Sequence, residues 1–200
     1  MIPLVCIPLV FLVSAVVAQD SSGSGKLWWE KASAYDPAPP EPPAPPAAPP
    51  TPPAVPDPEP AAMAGMLVRH NHWRTGLSLP PLAWSAALEK VAQAWADGLA
   101  SRGCKMVHTQ DNAYGENLAW SRIAHLDPAQ VVDMWGSEVS DYDYASNSCA
   151  EGKRCGHYTQ VVWRGTERVG CAVAYCPATR EEVWVCEYDP PGNWRGQHPY

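Results

Sequence analysis

His157 opens the run His157 to Trp163 in the segment CGHYTQVVWRGTERVGC, which spans Cys155 to Cys171. A histidine heading an otherwise apolar, β-branched run is there for a reason. Glu138 follows Val131, Met134 and Trp135 at the i, i+3, i+4, i+7 positions of one helix face, so it is expected on the buried side. A lone carboxylate there is costly unless a cation or a hydrogen-bond donor meets it. Imidazole and carboxylate together have three kinds of chemistry open to them. They can ligate a borderline divalent metal such as zinc, bond to one another in a metal-free network, or act as an acid/base pair. The chain has no GxSxG or HExxH motif, and of its seven cysteines only Cys6, in the apolar leader, is left over once six are paired. Thr159, two residues from His157, is the serine or threonine hydroxyl nearest in sequence. On a strand that spacing shows proximity without activation.

The elements that must position these groups lie in the last 140 residues or so. Residues 1–18 form an apolar run closing on Val16-Val17-Ala18, which reads as a cleaved secretory leader. Residues 19–36 are polar apart from an isolated Leu27-Trp28-Trp29. Residues 37–60 hold 14 prolines in 24 positions, an extended polyproline rod of about 75 Å. Its functional reading is a tether to wall polysaccharide, and its plain reading is a spacer. The domain organisation is thus leader 1–18, proline-rich linker 19–60 and folded domain 61–200, a length that buries about two-thirds of the unfolded surface. The whole chain carries a net charge of -7. From Ala61 onward 12 Lys and Arg stand against 15 Asp and Glu, with no basic cluster, so nucleic acid is excluded as a partner. The domain is expected to be a monomer.

Met66, Leu67, His70, Trp73 and Arg74 predict a first helix stopped at Gly76. Ser85 caps a second, with Leu88, Val91, Ala92, Trp95 and Leu99 as its stripe. Residues 104–126, which include His108 and Tyr114 to Leu118, read as an ordered loop or short helix. Asp127 and Pro128 start a third helix. Strands are expected at 157–163, 169–175 and 183–188. If the last two form a hairpin, facing positions sum to 357 and Cys171 meets Cys186. Cys149 and Cys155 could then close locally, leaving Cys104 for Cys176. Six cysteines alone allow fifteen pairings, so these remain expectations, suited to a secreted chain.

GHYTQVVWRGTERVGC at 156–171 and VCEYDPPGNWRGQHPY at 185–200 resemble the two signature segments of the CAP superfamily: cysteine-rich secretory proteins, antigen 5 and pathogenesis-related proteins. HNHWR, PPLAWS and GENLAW extend the likeness across 61–200, and SDYDYASNSCAEGKRCGHYTQVVW is most similar to the plant class-one pathogenesis-related branch. The resemblance implies an α+β fold, an α-β-α sandwich with a central antiparallel sheet between helical layers, and the disulfide pairing above. It also implies a surface cleft lined by His108, Glu116, Glu138 and His157, a candidate zinc site. Family members sequester sterols and other lipids, which makes Trp135, Tyr142 and Tyr144 a candidate lining. The activity expected is secreted, extracellular, defence-related lipid binding rather than catalysis, with a peptidase as the alternative. A further alternative is a signalling precursor: in the plant branch the C-terminus can be released as a short peptide, which would here be Pro190 to Tyr200, although Glu187 stands where the family usually has asparagine.

Overall fold

The computed structural model describes residues 57–110, 112–122 and 125–200. The leader and most of the proline-rich segment lie outside them. Helix α1 (Met66–Thr75) is followed by a two-residue strand β1 (Ala83–Trp84) and by α2 (Ala86–Ser101). Strand β2 (Gly115–Ser121) then leads to α3 (Pro128–Gly136), a 3-10 turn (Ser137–Asp141) and the small pair β3 (Tyr142–Asp143) and β4 (Ser148–Cys149). Helix α4 (Gly156–Val161) and the long hairpin β5 (Arg168–Cys176) and β6 (Glu181–Asp189) complete the fold.

The main sheet runs β1-β5-β6-β2, antiparallel except where β1 joins β5 in parallel. Its two faces bury different residues, as the two-residue period of a strand requires. Val169, Cys171, Trp184, Cys186 and Tyr188 point to one side and pack under α1, α3 and α4 with Met66, Val131, Trp135 and Val161. Ala172, Ala174, Val183, Val185 and Leu118 point to the other side and meet Ala92, Ala96 and Leu99 of α2. This is a helix-sheet-helix sandwich with a core on each face.

Local chemistry starts the helices where the sequence indicates. The Ser85 hydroxyl accepts from Leu88 N at 3.4 Å, and Asp127 forms a capping box with Gln130 behind Pro128. Helix α2 approaches the sheet closely at Gly170, where a Cβ would lie 2.2 Å from the Glu89 backbone nitrogen. The Asp57 carboxylate accepts from Ala86 N at 2.8 Å, and Glu59 accepts from Leu67 N at 2.6 Å and Gly65 N at 3.1 Å. Two acids from the end of the proline-rich segment thus serve the N-termini of α2 and α1.

The hairpin register is as expected, with Cys171 facing Cys186 and Val173 facing Trp184. The three disulfides are Cys104–Cys176, Cys149–Cys155 and Cys171–Cys186. Three expectations are corrected. Residues 157–163 are not a strand. They lie in and just after α4, whose buried Tyr158, Val161 and Val162 sit at helical spacing against α1 and α3, so tertiary packing overrides the β-branched composition. Residues 115–121 are strand β2 rather than loop or helix. Asn117, Leu118 and Ala119 are all buried, so the strand is covered on both faces and shows no alternation. Glu138 lies beyond the end of α3, on the 3-10 turn that continues it.

Candidate functional site

β2 pairs with β6 on one side and lies at the edge of the sheet on the other. Its neighbouring residues Glu116 and Asn117 point to opposite faces, and each holds one histidine-bearing segment. On the α2 face, Glu116 accepts from His108 Nδ1 at 2.5 Å and from the Thr109 hydroxyl and amide at 2.7 and 3.1 Å. On the other face, Asn117 Nδ2 donates to the His157 carbonyl at 3.1 Å and to the Tyr188 hydroxyl at 3.2 Å.

The Tyr188 hydroxyl lies 2.8 Å from His70 Nε2, and His70 Nδ1 lies 2.8 Å from the Met66 carbonyl. A carbonyl only accepts, so Nδ1 carries the proton and Nε2 accepts from Tyr188. Burial pushes the His70 pKa down to about 4, which keeps it neutral for that role. A buried polar chain therefore runs from α1 to the backbone of α4.

His157 is also pinned by Glu138. One Glu138 oxygen lies 2.6 Å from His157 Nδ1, and the other accepts the backbone amides of His157 and Tyr158 at 3.0 and 3.1 Å. Trp135 stacks beside the imidazole with ring centroids 6.3 Å apart. The Glu138 carboxylate thus has the donors a carboxylate beside an apolar helix requires. Hydrogen bonding to Glu116 raises the His108 pKa.

All four residues line one open cleft of about 940 Å³. Its polar side adds Arg154, and its apolar side is Met106, Leu118, Trp120, Met134 and Trp135. The four do not converge as a four-donor set. Both glutamates are spent on Nδ1 atoms and amides, and among the described residues no group of three or more acidic, histidine or cysteine side chains could hold a metal. What remains for a ligand is the Nε2 edge of each imidazole, each ring oriented through Nδ1 by a carboxylate.

Trp135 is buried at the cleft floor, its indole N–H donating to the Leu118 carbonyl at 3.1 Å. Tyr142 and Tyr144 lie elsewhere: Tyr142 packs on Tyr158, and Tyr144 stacks on Tyr200 with centroids 4.7 Å apart. The three aromatics do not line one cavity. The Thr159 hydroxyl donates to Asn193 Oδ1 at 2.7 Å, with the Cys155 carbonyl 3.1 Å away, and on a helix it points away from His157. These contacts supply no hydroxyl-imidazole pair for a peptidase.

The C-terminal segment is docked at both ends. Gly192 N donates to Gln160 Oε1 at 3.0 Å, Arg164 N donates to the Pro199 carbonyl at 2.6 Å, and the Tyr200 and Tyr158 hydroxyls meet at 3.1 Å.

Sequence reasoning missed Glu187. It faces Glu116 across the β2-β6 ladder and is fully buried. It takes one bond, from Asn112 Nδ2 at 2.7 Å, and its other oxygen has no partner among the described residues. Burial, aided by the charge of Glu116, pushes its pKa up to about 8. The one signal in the sequence was a glutamate in place of asparagine, whose consequence depends on what lies across the ladder.

The fold is an α-β-α sandwich with three disulfides, and it carries two carboxylate-held histidines on either side of an edge strand. The family model for the cysteine-rich secretory protein (CAP) family matches residues 67–188, and the chain belongs to that family. A pathogenesis-related protein of the PR-1 type from Sambucus nigra is 43% identical over 133 residues, 66% of this chain and 77% of that protein. Pathogenesis-related protein 1A of Nicotiana tabacum is 46% identical over 131 residues, 66% of this chain and 76% of its own. Among solved structures, Schistosoma mansoni venom allergen-like protein 4 shares the fold with a TM-score of 0.58 at 22% identity, covering 71% of this chain and 95% of that one.

Proposed function

We propose that this chain is a secreted, defence-related binding protein that works by capture rather than turnover, and that it sequesters a sterol or another lipid in the His/Glu cleft. The observation that carries this reading is the cleft's apolar wall. Met106, Trp120 and Met134 are 43%, 41% and 45% exposed in a concavity that also presents two imidazole edges. Grouped exposed apolar side chains facing polar ones suit an amphiphile. Secretion is supported by the three disulfides, which form and persist in an oxidising compartment. The reading moves the lipid site away from Tyr142 and Tyr144, which are engaged with Tyr158 and Tyr200.

Lipid extraction of natively purified protein, followed by a sterol-binding titration, tests it. Trp120→Ala with Met134→Ala is expected to weaken binding about a hundredfold or more, by loss of roughly 1.5–3 kcal/mol of buried apolar contact per side chain. Tyr142→Ala is expected to leave it unchanged. Absence of any extractable or added lipid ligand rejects the reading.

A second reading is a zinc contact that uses only the two histidines, since the described residues supply no group of three or more ligands and neither His108 Nε2 nor His157 Nε2 has a partner among them. His108 and His157 would be its ligands, with Glu116 and Glu138 as the carboxylates behind them. A bound zinc would supply a Lewis-acid anchor for a polar headgroup. Calorimetric titration with zinc is expected to show heat that His108→Ala and His157→Ala each abolish, and unchanged heat in both variants rules the site out.

A further inference from the structure

A second cavity of about 320 Å³ lies between the C-terminal segment and the turn before α4. It adjoins the cleft, sharing Gly156 and Asn193 with it, but its chemistry differs. Among the described residues its lining contains no acidic, basic or histidine side chain. Tyr142, Trp163 and Trp194 provide aromatic surface, and Asn147, Asn193 and Gln197 provide amides. We propose that this pocket is a binding site for a neutral saccharide, with Trp194 as its stacking platform.

A pyranose ring presents an apolar C–H face and a rim of hydroxyls that both donate and accept. An aromatic ring covers such a face, and carboxamides, with two N–H groups and two lone pairs, answer vicinal hydroxyls. The groups here are already oriented. Trp194 is 56% exposed, yet its indole N–H donates to the Pro191 carbonyl at 3.0 Å, which fixes an exposed ring without a ligand. Asn147 Oδ1 accepts from the Tyr142 hydroxyl at 2.7 Å, and its Nδ2 donates to the Gln197 carbonyl at 2.9 Å. Asn193 Oδ1 accepts from Thr159, and its Nδ2 donates to the Gly156 carbonyl at 2.9 Å. Each of these two amides therefore keeps one N–H and one lone pair for a guest.

The missing charge selects the class of sugar. An acidic polysaccharide would find no cation in this lining, and an amino sugar with a free ammonium would find no carboxylate. A lipid would leave the remaining N–H groups of these amides unmet, at about 1–3 kcal/mol each. The volume falls at the lower end of ligand pockets and accommodates one or two sugar rings. The site differs in chemistry from the lipid cleft that it adjoins at Gly156 and Asn193, and it gives the folded domain a polysaccharide contact of its own.

The test uses the full-length protein with cellohexaose, laminarihexaose and chitotetraose as neutral probes and tetragalacturonate as the acidic one, read by calorimetry and saturation-transfer NMR. At least one neutral probe is expected to bind with a Kd below about 1 mM. Trp194→Ala is expected to weaken it about tenfold or more and Gln197→Ala by a smaller factor, both with unchanged circular dichroism. His157→Ala, in the cleft, is expected to leave saccharide binding intact. Three outcomes would overturn the proposal: no neutral probe bound at several millimolar, equal binding by the Trp194→Ala/Gln197→Ala double variant, or a preference for tetragalacturonate.

Discussion

Replacing Arg74 by methionine is expected to destabilise the domain by more than about 4 kcal/mol, enough to remove its cooperative thermal transition near 37 °C. Arg74 is fully buried and donates to four carbonyls, those of Pro80, Val161, Trp163 and Thr166, at 2.8, 3.1, 2.8 and 3.0 Å. The guanidinium thereby joins α1 to the loop before β1 and to the chain between α4 and β5. Burial lowers its pKa to about 10, still well above neutrality, so the group is charged and supported by carbonyl dipoles. Methionine fills much of the volume and supplies none of the donors. Each buried carbonyl left unpaired costs roughly 1–3 kcal/mol, against a total stability of about 5–15 kcal/mol for a domain. Lysine keeps the charge but cannot reproduce a planar five-donor fork, so Arg74→Lys should also fall well below wild type. Thermal unfolding by circular dichroism decides the matter: a melting temperature for Arg74→Met within a few degrees of wild type would show that the carbonyls find water instead.

The second large effect is a pH dependence centred on Glu187. In the unfolded chain this carboxyl ionises near its ordinary 4.5, whereas in the folded protein it keeps its proton up to about 8. Its contribution is therefore fully present below pH 4.5. The unfolded state binds fewer protons between the two values, so stability falls as pH rises from 4.5 to 8. At about 1.4 kcal/mol per pKa unit, the cost reaches a few kcal/mol above pH 8. Glu187→Gln keeps the shape and the Asn112 contact while removing the charge. It is expected to match wild type near pH 4.5 and to melt several degrees higher at pH 8.5, measured with a chelator present. Parallel melting curves for the two proteins across that range would show that Glu187 ionises in place, for example through water at its free oxygen.

Much of the positioning was legible before the fold. Ser85 and Asp127 start their helices through bonds that reach two or three residues along the chain, Pro128 favours the first turn through its fixed φ, and such local chemistry is read directly from sequence. The hairpin register also follows from sequence, because the strand period fixes which residues face one another once the turn is placed. The segment 157–163 shows the opposite case. Its β-branched run favours a strand in isolation, but Tyr158, Val161 and Val162 gain more by packing against α1 and α3 as one face of a helical turn. β2 went unrecognised because burial on both faces erases the alternation that would mark it.

The sequence by itself determined the family, the helix starts, the pairing of β5 with β6, and the four residues His108, Glu116, Glu138 and His157 that would share a cleft. Only the tertiary structure decided how those four are used. Glu116 and Glu138 bind histidine Nδ1 atoms rather than a common centre, because β2 and the 3-10 turn bring each carboxylate within hydrogen-bonding distance of one imidazole and of nearby amide donors. The same long-range placement sets Glu187 against Glu116 and brings the C-terminal segment over Tyr142 and Asn147. Residues far apart in the chain acquire their chemistry from neighbours that no local pattern encodes.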